Sequence, residues 1–239
     1  RAQVNHPGIK FALPGHYYSP LPSIEEIKLK EEEIFHYIPR EVPGIDLNEA
    51  EQLELFNKFI EYYKEQPFEA HKKENLRYDL ENSNFILADA IFLYCMIRYL
   101  RPKKIIEVGS GYSSCVILDT NEIFLDNSIS CTFTDPYPQL LLSLIKKGDR
   151  ERIEIIPQKL QDVDINIFSE LSDRDILFID SSHVSKINSD VNHIFFKILP
   201  CINSGVYVHF HDIGYPFEYP KEFVYQGIAW NEAYLLRAF

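Results

Sequence analysis

Short apolar blocks alternate with longer amphipathic ones along the second half of this chain, and the block lengths predict its elements. Strands are predicted at Ile105–Val108, Ser130–Thr134, Ile153–Ile156, Asp175–Asp180 and Gly205–Phe210. Helices are predicted between them at Ser113–Leu125, Gln139–Lys147 and Val184–Leu199, with Gly148 as a natural C-cap for the second. A last helix follows at Trp230–Ala238. Strands this short and apolar are buried on both faces, and helices between them imply right-handed crossovers. The fold class expected is α/β, a Rossmann-like doubly wound, mainly parallel sheet with helices on both faces. Ahead of the sheet, Asp46 and Glu49 form a capping-box pattern, and Leu47, Ala50, Leu53, Phe56, Ile60 and Tyr63 recur at helical spacing until Pro67. Another helix runs from Ser83 or Asn84 through Ile86, Ala90, Leu93, Tyr94 and Ile97 to Leu100, where Pro102 stops it.

The first 45 residues read differently. Pro7, Pro14, Pro20, Pro22, Pro39 and Pro43 stand among Phe11, Tyr17, Tyr18, Phe35 and Tyr37, which suits an extended arm docked on another surface. The charged run Glu25–Glu33 reads as a solvated helix or connector. The expected division is an arm and helical cover over 1–100 and a cofactor-binding sheet domain over 101–239. The chain opens on Arg1 rather than Met, which points to processing or a truncated start.

A hydrophobic share of 46% makes the chain an ordinary globular protein, and a net charge of −12 disfavours a nucleic-acid partner. Cys95, Cys115, Cys131 and Cys201 are widely spaced with no C-x-x-C pair, as expected of reduced core cysteines in a cytoplasmic protein. No apolar run approaches the ~18 residues of a membrane span, so no membrane partner is expected. A homo-oligomer is left open.

The first strand breaks at once into Gly109-Ser110-Gly111 and a helix start. Bare backbone and free N–H groups at such a turn favour an anionic or strongly polar group, so this turn is expected to hold a cofactor. A dinucleotide fingerprint wants a third glycine where Ser114 stands, which weakens that reading. What remains, Glu107-x-Gly109-x-Gly111, resembles motif I of the class I S-adenosylmethionine-dependent methyltransferases. The resemblance implies S-adenosylmethionine as cofactor, its methionyl part surrounded by Glu107, Gly109 and Gly111, with Ser110, Tyr112 and Ser113 in the same cofactor-binding set. Asp135, followed by Pro136, ends the second strand, where an acid can accept from both ribose hydroxyls, as dinucleotide proteins also arrange. Gln161 and Asp162 fall where family members hold the adenine amino group, although Asp162 equally suits a helix N-cap. Asp180 and Ser181 close the cofactor set.

Two neighbouring strands end in Ile179-Asp180-Ser181-Ser182-His183 and His209-Phe210-His211-Asp212. A carboxylate and an imidazole at one rim suit general-base catalysis or a divalent metal. His183 or His211 is the expected base, with Asp180 or Asp212 orienting it. The segment 175–220, with P-F-E-Y-P, and the arm's G-H-Y-Y-S-P look like a bacterial subgroup similar to sugar and small-molecule O-methyltransferases. That resemblance implies a small hydroxyl acceptor, and magnesium or another divalent metal on Asp180 and Asp212. Aromatics of the arm and of Tyr215–Tyr219 would cover the pocket. Family members have seven strands, so the final two are expected to be missing here. The rival readings are an NAD(P)-type oxidoreductase and a non-catalytic cofactor-binding module.

Overall fold

In the computed structural model, which describes residues 10–239, the predicted alternation folds as a five-stranded sheet. Before it come α1 (Ile24–Leu29), α2 (Glu31–Phe35), α3 (Glu49–Tyr63) and α4 (Leu87–Leu100). The sheet region runs β1 (Lys104–Val108), α5 (Tyr112–Phe124), β2 (Ser130–Thr134), α6 (Gln139–Leu144), β3 (Ile153–Ile156), α7 (Asn166–Ser169), β4 (Ile176–Ile179), α8 (Asp190–His193) and β5 (Tyr207–Phe210). After it come α9 (Lys221–Tyr225) and α10 (Glu232–Ala238). The strand order is β3-β2-β1-β4-β5, and every pairing is parallel. Right-handed crossovers therefore place α5 and α6 on one face and α7 and α8 on the other. The order reverses between β1 and β4, and that reversal opens a crevice at the strands' carboxyl ends.

Strand periodicity divides the core between the two faces. Ile105, Phe133, Ile176 and Phe178 join the cluster built with α4 and α5, while Ile106, Leu177 and Ile179 are buried outside it. Beneath the first face Arg77, 1% exposed, pins the segment before α4 to α5. Its guanidinium lies 2.7 Å from Asp119, 2.6 Å from Asp149 and 2.8 Å from Glu122. Asp119 also accepts the backbone N–H groups of Arg77 and Tyr78.

Several predicted boundaries move, each for a local reason. α3 starts from Asn48, at φ 53° and without a side-chain cap, so the Asp46–Glu49 capping box is not used. α4 starts at Leu87 because Asn82 turns the chain, accepting the N–H groups of Asn84 and Phe85 and competing with a helix there. α6 ends at Leu144, and Gly148, at φ 96°, leads into a 3-10 turn over Asp149–Glu151 instead of capping it. Residues 184–189 stay a loop until Ser189 caps α8 by accepting the Asn192 N–H. α8 then continues as a π turn, Ile194–Ile198, and a 3-10 turn, Leu199–Cys201. The Trp230–Ala238 helix begins at Glu232.

The described chain divides into two units, one comprising residues up to Asp46 with Ile213–Phe239 and the other Leu47–Asp212. In the first, Glu31 of α2 pairs with Lys221 and accepts the Tyr225 hydroxyl at 2.5 Å, so the acidic run is tied to α9 rather than merely solvated. The Tyr215 hydroxyl donates to the Pro39 carbonyl at 2.6 Å. Against expectation, Phe11, Tyr17, Tyr18 and Tyr37 are exposed. Tyr18 gathers Phe11, His16 and Tyr17 around itself instead, with ring centroids 5.2–5.8 Å apart. Pro7 lies outside the described residues. Among these residues no helix is long and apolar enough to cross a membrane.

Candidate active site

The sheet's hydrogen-bond ladder extends one residue past its strands and holds the site in register. Gly109 donates to the Thr134 carbonyl, Asp135 to Ile156, Asp180 to Val108 and His211 to Ile179, at 2.8–3.1 Å. Each of these backbones is therefore fixed by a neighbouring strand. At φ 91° Gly109 turns the chain into α5, and a Cβ there would lie 2.5 Å from the Asp180 carbonyl oxygen. Only glycine lets β1 and β4 close to this distance. The dinucleotide fingerprint's third glycine is replaced by Ser114, which caps the helix start by accepting the Gly111 N–H at 3.0 Å.

Within the sheet-containing unit, a cleft of about 670 Å³ opens at the carboxyl ends of β1, β2 and β4. Gly109, Ser110, Asp135, Pro136, Gln161, Asp180 and Ser181 all line it, so the structure brings together predicted residues from four loops. Asp135 is held by the Ser110 hydroxyl and the Tyr137 N–H, both at 2.7 Å. Gln161 donates to the Asn188 carbonyl at 2.7 Å.

Five other predicted cofactor residues lie outside this lining. Glu107 is fully buried behind the turn, where it accepts the Ser113 hydroxyl and, at 2.6 Å, the Ser114 hydroxyl. Burial pushes its carboxyl up to about 8, against those two hydrogen bonds. Gly111 is packed against Leu140, Tyr112 packs on the core, and Asp162 is exposed in a 3-10 turn. The sequence did not single out Lys159, Lys186, Asn188, Ser189 and Asp190, which also line the cleft. The one signal available was Ser189-Asp190 as a helix start. Asp190 accepts the N–H and the hydroxyl of Ser182 at 2.7 and 2.5 Å, drawing the post-β4 loop over α8.

Beside the cleft, and sharing Asp180 with it, stands a second group. His183 Nε2 lies 3.4 Å from Asp180 Oδ1 and 3.9 Å from Asp212 Oδ2, distances looser than a formed hydrogen bond. One donor atom from each of the three falls within 4.8 Å of the others. His183 is buried and Asp212 exposed, and both hold left-handed backbone, φ 57°. Non-glycine residues in that region carry strain that concentrates at functional sites.

The two histidines at the end of β5 divide in role. His211 is buried between Phe85 and His209, with ring centroids at 5.1 and 5.7 Å, and its Nε2 is 3.6 Å from Asp212 Oδ1. His209 stacks on Phe178 at 4.3 Å, and its Nε2 is buried without a hydrogen-bond partner. Burial, aided by His211, drives the His209 imidazole down to about 4, so it is neutral at pH 7. Tyr215–Tyr219 belong to the other unit.

A model described as methyltransferase domain matches residues 106–213, the span that contains the cleft and the cluster. A protein of Archaeoglobus fulgidus, described only as uncharacterized, is 34% identical over 170 residues, covering 69% of this chain and 75% of its own length. Among solved structures, the Podospora anserina methyltransferase PaMTH1 with bound SAH aligns with a TM-score of 0.45 at 14% identity, covering 92% of this chain and 88% of that one. A structure described as cmcI-N160 with SAH aligns at 0.41 and 17% identity, covering 79% and 84%. Likenesses this loose carry no weight beside the domain match.

Proposed function

Because the chain belongs to the class I S-adenosylmethionine-dependent methyltransferases, we propose that it methylates a hydroxyl of a small, sugar-like acceptor. We assign the cofactor to the cleft at the ends of β1, β2 and β4, and the chemistry to Asp180, His183 and Asp212. The observation that carries this reading is the position of Asp180, which lines the cleft and also belongs to the three-residue cluster. A methyl donor seated in the cleft therefore has a base beside it.

When bound, the cofactor supplies a sulfonium methyl, whose S–C bond breaks as the new O–C bond forms. Asp135 would accept the ribose hydroxyls, and the turn at Gly109 and Ser110 would admit the methionyl part against bare backbone. The His183 imidazole takes the acceptor's hydroxyl proton, and Asp180 and Asp212, both facing its Nε2, orient the ring and stabilise its cation. His211 stands beside Asp212, its Nε2 3.6 Å from Oδ1.

The same three side chains also fit a divalent ion. One imidazole nitrogen and two carboxylate oxygens suit a first-row transition metal better than magnesium, which prefers an all-oxygen shell. Such an ion would lower the acceptor hydroxyl's pKa at the site where His183 otherwise acts. We place the enzyme in the cytoplasm, in keeping with its four free cysteines.

The test is labelled-methyl transfer to a panel of sugars and phenols, with and without divalent ions, alongside calorimetric titration of the cofactor. Micromolar binding, transfer, and loss of turnover by about 100-fold or more in His183→Ala are expected. Absence of cofactor binding refutes the cleft assignment. Full turnover in His183→Ala and Asp212→Asn refutes the catalytic one.

A further inference from the structure

α3 carries two apolar faces, and the fold uses one. Leu55, Phe59 and Tyr62 turn inward, where Phe59 meets the Phe92 ring at 5.3 Å and the Tyr62 carbonyl accepts the Tyr94 hydroxyl. The stripe most legible in the sequence points to solvent. Leu53 is 65% exposed, Phe56 62%, Ile60 44% and Tyr63 53%, and Phe92 of α4 adds an exposed ring beside them at 49%. An apolar groove lies along this face. A helix apolar on two faces is ordinarily covered on both.

We infer that this face of α3 is the two-fold interface of a homodimer. Residues 53, 56, 60 and 63 follow the 3-4-3 spacing of a coiled-coil seam, continued four residues back by Glu49. In an antiparallel pair with Phe56 over the partner's Ile60, Leu53 meets the partner's Tyr63, so every apolar layer recurs under the two-fold. In the same register Lys64 comes within one helical turn of the partner's Glu49. Glu49 ends the seam and Lys64, which also reaches Glu61 of its own helix at 2.8 Å, flanks it, and each finds its opposite across the axis, as a self-complementary interface requires. Taking an exposed aromatic at roughly 200 Å², the five side chains present about 500 Å² of surface per protomer. That matches the roughly 300–600 Å² of a typical monomer's largest, often functional, apolar patch, and a polar rim brings it toward the ~800 Å² per partner of a standard interface.

Sedimentation velocity of the full chain from about 1 to 100 µM tests this. The 28.0 kDa protomer should sediment at twice its mass. Phe56→Glu or Ile60→Lys, with the circular dichroism spectrum unchanged, should raise the dimer's dissociation constant by about 30-fold or more. Glu49→Lys alone should weaken the dimer by about 5- to 20-fold, and Glu49→Lys with Lys64→Glu should restore it. A wild-type monomer throughout the range overturns the inference. So does a dimer indifferent to Phe56→Glu, or a double exchange that restores nothing.

Discussion

Gly109→Ala is the perturbation that most directly tests how the cleft is built. A residue with a Cβ held at φ 91° costs about 1–2 kcal/mol in backbone strain. The added methyl would stand 2.5 Å from the Asp180 carbonyl oxygen, a separation at which one of the two must move by about half an ångström or more. That carbonyl is not free to yield, because Asp180 donates to Val108 at 2.8 Å and β1 pairs with β4 up to Val108–Ile179. We therefore expect a total of about 2–4 kcal/mol, with the strand ends splayed. For a chain of this size that lowers the melting temperature by about 5–12 °C. The displaced groups, Gly109 and Asp180, line the cleft, so S-adenosylhomocysteine should bind about 10-fold more weakly or worse. Differential scanning fluorimetry and calorimetric titration read the two effects separately. An alanine variant that melts and binds like the parent would show that β1 and β4 do not close on each other in solution.

Arg77→Met should cost about 3–5 kcal/mol in urea unfolding, because it strands the Asp119 and Asp149 carboxylates beneath α5. Adding Asp119→Asn and Asp149→Asn should recover part of that loss, and no recovery would assign the penalty to packing alone. Burial raises Glu107 from 4.5 to about 8, so between those pH values the folded chain holds a proton that the unfolded chain releases. Stability should therefore fall as pH rises through that window, and Glu107→Gln should flatten the decline. A variant as pH-sensitive as the parent would place the titration elsewhere. Asp135→Asn should weaken cofactor binding by about 10-fold while leaving the melting temperature within about 2 °C, because the side chain serves the cleft rather than the core. Calorimetry showing unchanged affinity would remove Asp135 from the ribose site.

The strand run from Lys104 to Phe210 was legible because five short apolar segments can only be buried in a parallel stack, and the Gly109-Ser110-Gly111 break permits only a tight turn. Asp135 and Asp180 were legible for the same reason, since each ends a strand whose neighbours set its depth. Local competition decided what periodicity alone misplaced. Asn82 delays α4, and Ser189 delays α8, through single side-chain hydrogen bonds that no hydrophobic pattern records. The identities of Lys159, Lys186 and Asn188 as cleft residues depend on loops that meet only after the sheet forms. The α3 stripe was visible as a pattern but not as a surface. A helix with two apolar faces reads the same whichever one is buried, and the contact with α4 chose Leu55, Phe59 and Tyr62. Likewise the sequence alone placed Glu107 beside the glycines, while the fold turned it inward to Ser113 and Ser114. Which side of the chain a residue meets is a property of tertiary packing, because spacing along a chain sets faces and only neighbours in space assign them.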